Sequence, residues 1–321
     1  MKTRSLVLSM IFLLAFFGGC GDHETATTAT NTAATEGEKF VAVVGGDIVE
    51  GVIGEETPLK VLVGGFPGSS FNFPAKNDGR LVFTSPGPAG DCPYPGIFTK
   101  EDGQPIKRLT GKNSDGGCDG LFYSRPTITS EGKVFYDTHN SVDGVDRIYS
   151  IPFDGGNPTL LAGTNNAIQA TFRGGKLFYN FTGGEEPKLF SGTTGQLIPD
   201  SVSTSSQTEL APSHDGSRIV FSLGGDNFKN LAIFDGTVLK ELTSPVTGVC
   251  DVQSDWTINE KKIIFLRFIG ALSGTPPVIS SCFTDPSPSV FFINADGSGL
   301  VLVKELEGAT SISIVRLKLG G

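Results

Sequence analysis

The sequence predicts an all-β fold, a six-bladed β-propeller of four-stranded blades that the C-terminal strand closes by pairing into the first blade. Three observations predict it: the composition, a unit that recurs at even spacing, and an unmatched strand pattern near the C-terminus. The 321 residues include 43 glycines, 19 prolines and 24 phenylalanines, and 18% of the residues are charged. This composition suits short strands joined by tight turns, so we expect almost no helix beyond the N-terminal segment.

The recurring unit is a basic residue followed by three mostly apolar residues. Its six copies are separated by 41, 53, 43, 42 and 44 residues, close to the ~40–45 residues of a four-stranded propeller blade. The longest interval contains two polar stretches rich in glycine and proline, 87–95 and 112–120, which we assign to loops. The copies begin at Lys39, Arg80, Lys133, Lys176, Arg218 and Lys262.

Each copy carries the signals of three further strands, one before the basic strand and two after it. Asp-Gly turns separate the two later strands, and they favour hairpins because glycine tolerates positive φ. These turns lie at 102–103, 154–155, 235–236 and 296–297. Aromatic residues alternate within the basic strands, and we expect them to pack between neighbouring blades: Phe83, Tyr136, Tyr179 and Phe265.

The two ends of the repeat region complement each other. The first copy, at Lys39, is preceded by a Thr/Ala-rich segment and not by a strand pattern, whereas the last copy is followed by the alternating segment Thr310–Leu317. Placing that segment in the first blade completes six blades and removes free sheet edges. The alternative, an open sandwich or two small barrels, leaves the even spacing and the extra strand unexplained.

The N-terminus predicts export. Lys2 and Arg4 precede the apolar run 6–17, which is too short to span ~30 Å of hydrocarbon comfortably and is typical of a signal peptide. The following Phe17-Gly18-Gly19-Cys20 resembles the lipobox of bacterial lipoproteins. An ordinary signal peptide with a chance cysteine is the alternative.

The lipoprotein resemblance implies a signal peptide over 1–19, a lipidated Cys20 at the head of a flexible tether over 20–36, and a propeller over 37–321. Several acyl chains together hold a protein firmly at a membrane. In that family an Asp directly after the cysteine retains the protein at the inner membrane, and here the residue is Gly21. The resemblance therefore implies a lipid-anchored envelope protein, with the outer membrane favoured over the inner membrane.

A second resemblance concerns the blades. The segment 211–221 (APSHDGSRIVF), with LKELT at 239–243, resembles the WD40-like PD40 repeat of TolB-type six-bladed propellers. The sequence IKRLT at 106–110 repeats the later element. The resemblance extends over roughly 37–319 and implies the scaffold more than a task. The N-terminal α/β domain that precedes the propeller in that family is not predicted, so the family's role in the Tol system is not carried over.

The four cysteines besides Cys20 predict disulfides, because their number is even in an exported chain. The blade map places them in loops of one propeller face, in two local pairs. We therefore predict that Cys92 bonds to Cys118 and that Cys250 bonds to Cys282, each bond contributing about 2–4 kcal/mol to stability. A zinc site is the alternative, although the spacings resemble no CxxC pattern.

The sequence shows no catalytic set, and we predict no catalytic residue, no metal site and no cofactor. The three histidines, His23, His139 and His214, are expected to be solvated residues of the tether or of turns. Acidic residues in the loops could offer oxygen ligands to Ca²⁺, but they follow no spaced calcium-loop pattern, and we interpret them as solvated charges. They are Asp91, Asp115, Asp119, Asp137, Asp143, Asp146, Asp251 and Asp285.

Two hypotheses of function result. The favoured one is a noncatalytic envelope lipoprotein whose propeller binds a protein or a glycan. The alternative is a hydrolase or lactonase-like enzyme with a metal at the mouth of the central channel. The formal net charge of −9 disfavours nucleic acid as a partner, because phosphate binding needs a basic field. The expected partners are the membrane, through the N-terminal lipid, and an envelope protein or glycan.

The anchor can be tested by replacing Cys20 with Ser. Without the thiol no lipid can be attached, so the variant is expected in the soluble periplasmic fraction while the wild-type protein stays with the membranes. Immunoblots of fractionated cells measure the distribution. Unchanged membrane association of the variant would contradict lipidation at this residue.

Overall fold

The computed structural model of the chain describes residues 38–53, 55, 58–64, 74–86, 92, 94–112, 116–161, 164–181, 188–191, 196–197, 208–224, 228–270, 288–305 and 309–314. In this part of the chain the secondary structure consists of strands and turns, without a helix. Accordingly, the described residues contain no helix long and apolar enough to cross a membrane. All of them belong to one compact unit, Ala34–Gly321.

The strands form six four-stranded antiparallel sheets that follow one another along the chain. Sheet 1 contains Lys39–Val44 (β1), Asp47–Val52 (β2), Lys60–Val63 (β3) and Ala309–Ile314 (β24). Sheet 2 contains Ala75–Asn77 (β4), Arg80–Ser85 (β5), Gly96–Glu101 (β6) and Lys107–Arg108 (β7). Sheet 3 contains Leu121–Ile128 (β8), Lys133–Asn140 (β9), Asp146–Pro152 (β10) and Thr159–Leu160 (β11).

The other three sheets repeat the pattern. Sheet 4 contains Ala167–Arg173 (β12), Lys176–Phe181 (β13), Lys188–Ser191 (β14) and Gln196–Leu197 (β15). Sheet 5 contains Thr208–Pro212 (β16), Ile219–Leu223 (β17), Asn230–Phe234 (β18) and Leu239–Glu241 (β19). Sheet 6 contains Val249–Trp256 (β20), Lys262–Ile269 (β21), Ser289–Asn294 (β22) and Val301–Glu305 (β23).

The first strands of the sheets form the centre of a ring. The strands β4, β8, β12, β16, β20 and β24 each contact the next, and β24 contacts β4 in turn. In sheet 1 the central place belongs to β24, which pairs antiparallel with β1 so that Ala42 lies opposite Ile312. The prediction of a β-propeller of four-stranded blades, closed by the C-terminal strand, is confirmed. The last residues of the predicted segment, 315–317, lie outside the described residues.

The hydrophobic core is divided among the contacts between neighbouring sheets. Each of the six pairs of adjacent sheets encloses one cluster of buried apolar side chains in the described part of the chain. The predicted aromatic packing is confirmed, because these four rings are at most 2% exposed: Phe83, Tyr136, Tyr179 and Phe265.

The repeated motif has a direct packing cause. The second strand of each sheet lies between two strands of its own sheet and has another sheet on both faces. Both of its faces are therefore buried, and it carries a continuous apolar run and not an alternating one. In β5, for example, Leu81 to Ser85 are all buried. The basic residue before the run lies at the surface, as the exposed Lys39 and Lys133 show.

Two hydrogen bonds join sheet 6 to the ends of the ring besides the pairing of β24 with β1, and the first of them involves β24 itself. The backbone N–H of Ile312 donates to Gln253 Oε1 of sheet 6 at 3.1 Å, and the N–H of Ile258 donates to Glu38 Oε1 at 2.9 Å. Each bond joins sheet 6 to sheet 1. The junction between the two ends of the chain is therefore held by backbone pairing, by side-chain hydrogen bonds and by apolar contacts.

We predict that Ile312→Ala destabilises the protein by about 2–5 kcal/mol, because Ile312 is only 6% exposed and belongs to the core between sheets 6 and 1. Urea unfolding measures the loss. Val301→Ala is the control, because Val301 is 50% exposed on an outer strand and its truncation should change stability by less than about 0.5 kcal/mol. Equal effects of the two substitutions would contradict the central role of β24.

Candidate functional site

The antiparallel order of the strands gives the propeller two faces. Turns between first and second strands, such as 129–132 and 174–175, emerge on one face, which we call the turn face. Connections between second and third strands, and those between consecutive sheets, emerge on the other, which we call the loop face. The Cys92–Cys118 disulfide and the described loop residues Asp119 and Asp143 belong to the loop face, whereas His214 belongs to the turn face.

The turn face contains a cavity of about 410 Å³ at the mouth of the central channel. Five sheets contribute to it at or just after the ends of their first strands, which is where the central strands converge. This volume lies within the ~300–1,000 Å³ range of small-molecule sites. The lining residues of this channel-mouth cavity are Asn77, Ile128, Thr129, Ser130, Glu131, Phe172, Arg173, Gly174, Gly175, His214 and Ile258.

A buried ion pair crosses the channel beside the cavity. Arg173 Nη2 of sheet 4 lies 2.8 Å from Asp255 Oδ1 of sheet 6, and the two side chains are 6% and 7% exposed. Asp255 Oδ1 also accepts a hydrogen bond from the backbone N–H of Trp256 at 2.9 Å. Burial of two charges costs desolvation energy, and removing one partner would leave the other uncompensated. The pair therefore holds sheets 4 and 6 in one arrangement around β16.

His214 belongs to a second charged group at the turn face. Its Nδ1 lies 3.5 Å from Glu260 Oε1, and its backbone N–H donates to the same carboxylate. Arg218 Nη2 lies 2.9 Å from Glu260 Oε2, and the guanidinium carbon lies 4.4 Å from the centre of the Trp256 ring. The expectation that His214 is a solvated turn residue was wrong, because this turn folds against sheet 6 and places the ring in the cavity wall.

The turn of sheet 5 is rigid for local reasons. Asp215 accepts hydrogen bonds from the hydroxyls of Ser213 and Ser217 at 2.7 and 2.8 Å, and these bonds lower the pKa of Asp215 to about 2. Gly174 of the neighbouring turn lies against the backbone of Asp215, where a Cβ would collide with it. Glycine is therefore required at this junction of sheets 4 and 5.

Asn77 is a cavity residue with a buried oxygen that no described residue satisfies. It ends β4 directly before the turn Asp78-Gly79, in which both residues have positive φ. Its side chain is buried, with 7% of its surface exposed. Its Oδ1 accepts no hydrogen bond from the described residues. Buried polar atoms nearly always have partners, so such an atom at a cavity is a candidate contact for a ligand.

The loop face contains the predicted Cys92–Cys118 disulfide, with the two Cα atoms 5.5 Å apart. This pairing is confirmed. Cys250 is also disulfide-bonded, but Cys282 lies outside the described residues, so the pairing of these two stays a prediction. Cys250 itself was wrongly placed in a loop, because it is fully buried near the start of β20. Cys20 lies outside the described residues as well.

The acidic residues of the loop face lie apart and have local partners. No three His, Cys, Asp or Glu side chains gather as a potential metal site in the described part of the chain. Asp119 accepts from the Tyr123 hydroxyl at 2.5 Å, and Asp143 pairs with Arg147 at 2.8 Å. Asp146 pairs with His139, also at 2.8 Å. Outside the described residues lie Asp91, Asp115 and Asp285, together with His23.

Asp137 and Asp251 are not solvated loop charges, and this expectation was wrong. Asp137 lies in β9 and Asp251 in β20, and they are 6% and 1% exposed. Asp251 is neutralised by Arg267, whose Nε and Nη2 donate to its two oxygens at 2.6 and 2.8 Å. Asp137 accepts from the N–H of Gln169 at 3.2 Å. Burial raises the pKa of Asp137 to about 7, although the charge of nearby Arg125 opposes the shift.

Three long polar residues of the central strands escaped the sequence reasoning. Arg125, Gln169 and Gln253 have φ between 44 and 58°, at points where the register of β8, β12 and β20 shifts. They lie at β-bulges, which leave one residue outside the strand pairing. Gln169 Oε1 accepts from the Asn180 amide at 2.5 Å. The signal was a long polar residue eight, seven or nine positions before Lys133, Lys176 and Lys262.

Comparison with known proteins identifies the fold. No protein-family model matches the chain, and no curated protein matches it. Among solved structures, TolB from Acinetobacter baumannii is similar with a TM-score of 0.62 and 13% identity, over 88% of this chain and 67% of that one. A putative TolB from Agrobacterium tumefaciens is similar with a TM-score of 0.56 and 13% identity, over 85% of this chain and 90% of that one.

Propellers of other kinds are similar as well. A chain of a nidogen/laminin complex has a TM-score of 0.54 and 13% identity, over 87% of this chain and 98% of that one. A putative 6-phosphogluconolactonase from Bacteroides uniformis has a TM-score of 0.52 and 11% identity, over 87% of this chain and the whole of that one. At such identities the similarity shows a shared fold, which is the β-propeller.

We predict that Asp137→Asn stabilises the protein increasingly as pH rises. The folded pKa of about 7 lies above the ordinary value of 3.8. The folded state therefore binds the proton of Asp137 more tightly than the unfolded state does. This contributes stability that is fully present below about pH 4. It is lost as pH rises to about 7, at up to about 1.4 kcal/mol of unfolding free energy per pH unit. The amide variant does not titrate and avoids this loss.

Urea unfolding of both proteins at pH 5 and pH 8 measures the difference. Asp143→Asn is the control, because the pKa of the exposed Asp143 is lowered by its hydrogen bond with Arg147, and this variant should gain no stability with rising pH. A stability difference between Asp137→Asn and the wild-type protein that stays constant with pH would contradict a buried ionisation at Asp137.

Proposed function

We propose that the protein is a noncatalytic binding scaffold of the bacterial cell envelope. Its lipid anchor is on Cys20, after a signal peptide over 1–19, and the tether over 20–36 holds the propeller over 37–321 away from the membrane. The outer membrane is its proposed location. The proposed ligand is an envelope protein or glycan that binds at the channel-mouth cavity. A second disulfide, between Cys250 and Cys282, belongs to the same proposal.

The observation that carries the proposal is the convergence of five sheets on one cavity. The mouth of the channel in a ring-shaped fold is suited to ligand binding, because short turns from several rigid strands place different side chains around one space. Here the turns are held by the Arg173–Asp255 pair, by Glu260 between His214 and Arg218, and by the packing of Gly174. A ligand therefore meets walls that are already ordered.

The charges support a binding role at this face. Two of the charged groups of the wall are paired, since Arg173 faces Asp255 and His214 faces Glu260, whereas Glu131 is exposed at the rim. Such ion pairs fix the positions of the wall side chains and leave polar groups at the cavity. One structural neighbour comes from a nidogen/laminin complex, which is an example of this fold in a protein that binds another protein.

The enzyme alternative is the hydrolase or lactonase with a metal at the channel mouth. One structural neighbour is a putative 6-phosphogluconolactonase. Metal analysis of the purified protein distinguishes the two functions. A stoichiometric divalent ion that a chelator releases, together with a hydrolytic activity that is lost with it, would favour the enzyme and contradict the scaffold.

The binding site can be tested with Ser130→Trp. Ser130 is exposed at the cavity wall, so an indole there should obstruct the cavity without disturbing the core. We expect capture of the ligand from envelope extracts to fall at least tenfold, measured by affinity pull-down and quantitative mass spectrometry.

The matched control is Ser141→Trp, because Ser141 is equally exposed but follows β9 on the loop face. This variant should capture the ligand as the wild-type protein does. A ligand that Ser141→Trp loses and Ser130→Trp retains would place the binding site on the loop face and contradict the proposed site.

A further inference from the structure

We infer that the channel-mouth cavity binds a neutral saccharide, one or two sugar rings at the end of a glycan. This inference rests on the proposed function, since it names the ligand class of the same cavity. Its basis is the combination of a buried amide, rim groups that donate and accept hydrogen bonds, a stacked aromatic ring, and two charged wall residues, Arg173 and His214, that already face opposite charges.

The buried amide is the first observation. Asn77 lines the cavity, is 7% exposed, and its Oδ1 accepts no hydrogen bond from the described residues. An unsatisfied buried polar atom lowers the stability of the folded state, so its presence calls for an explanation such as a ligand contact. A hydroxyl group suits an amide, because it can donate to the oxygen or accept from the nitrogen. A ligand rich in hydroxyl groups therefore matches Asn77 better than an anion does, because an anion has no proton to donate to the unpartnered oxygen.

The rim adds both kinds of hydrogen-bonding group. Ser130 and Glu131 are exposed residues of the turn between β8 and β9 and line the cavity. A serine hydroxyl donates and accepts, whereas a carboxylate accepts only. Together with Asn77 these groups place donors and acceptors of different geometry on the side of the cavity that sheets 2 and 3 form. Such a set suits a ligand whose hydroxyls point in several directions.

Phe172 supplies an apolar surface that is held in place by ring stacking. It lines the cavity and is half-buried, and its ring stacks on Phe135 with the centroids 4.9 Å apart and the planes 7° from parallel. Ile128 and Ile258 are the other apolar lining residues. The C–H groups of a sugar ring are apolar and can pack on such side chains, while its hydroxyls remain directed at the polar groups.

Apart from the exposed Glu131 at the rim, the wall charges are paired, and this disfavours a strongly charged ligand. Arg173 lies 2.8 Å from Asp255, and both are buried. His214 and Arg218 both face Glu260. An added anion or cation would compete with these existing pairs and would have to be desolvated. A neutral ligand avoids both costs, and the volume of about 410 Å³ lies at the small end of the range for ligand sites.

The experiment titrates the full-length purified protein with glucose, galactose, N-acetylglucosamine and the β1,4-linked dimer of N-acetylglucosamine. Saturation-transfer NMR and calorimetry detect binding. We expect saturable binding of at least one of these saccharides. Asn77→Ala should weaken it about tenfold, the equivalent of one hydrogen bond of about 1.4 kcal/mol. Asn140→Ala should leave it unchanged, because Asn140 lies at the loop face, where it accepts from the N–H of Val142.

Ser130→Trp covers the case in which Asn77→Ala does not fold, because Ser130 is exposed, and this variant should abolish saccharide binding. Thermal unfolding verifies that each variant is folded. The inference is overturned if no saccharide binds saturably, or if the two cavity variants bind as well as the wild-type protein. It is also overturned if a cationic competitor, a lysine-rich peptide, displaces the saccharide.

A failure of this inference can be distinguished from a failure of the proposed function. If the pull-down captures a ligand that Ser130→Trp loses, and these saccharides do not displace it, the scaffold proposal stands and the saccharide inference is wrong. If the saccharides displace the captured ligand, both are supported. If Ser130→Trp changes neither capture nor saccharide binding, the cavity is not the site and both are wrong.

Discussion

Closure of the ring by β24 is the constraint on which the rest of the structure depends. The strand comes from the end of the chain and occupies the central place in sheet 1, where Ile312 enters the core shared with sheet 6. A sheet edge that is left open exposes unpaired backbone groups and an apolar face. With β24 in place, every sheet has a neighbour on each side, and the apolar clusters form an unbroken series.

The cavity is a consequence of this closure. Central strands that converge in a ring bring short turns together at one end of the channel, although those turns are far apart in the sequence. Arg173 and Asp255, for example, are separated by 82 residues and lie 2.8 Å apart. The resulting wall is held by contacts between sheets in addition to hydrogen bonds within single turns, such as those of Ser213 and Ser217 with Asp215. A change at one interface therefore affects the position of groups at the site.

The bulges of the central strands show how the interior of the ring is ordered. A bulge releases one residue from strand pairing, and side-chain or backbone groups of the released residues connect neighbouring sheets. Gln253 accepts from the N–H of Ile312 in the closing strand, and the N–H of Gln169 donates to Asp137 of the preceding sheet. Buried polar groups in the channel thus contribute hydrogen bonds between neighbours that apolar side chains could not provide.

The strand units, their number and the closing strand could be predicted from the sequence, because they follow from local patterns that repeat at even spacing. The Cys92–Cys118 bond could be predicted because the repeat places both cysteines beside the same blade. The site could not be predicted in this way. The sequence around His214 is typical of a solvated turn, but its ring lies against Glu260. Asp137 was expected in a loop, but it is buried in a strand. The physical reason is that burial and ion pairing depend on which sheets meet across the channel, and a repeating local pattern carries no record of contacts between distant residues.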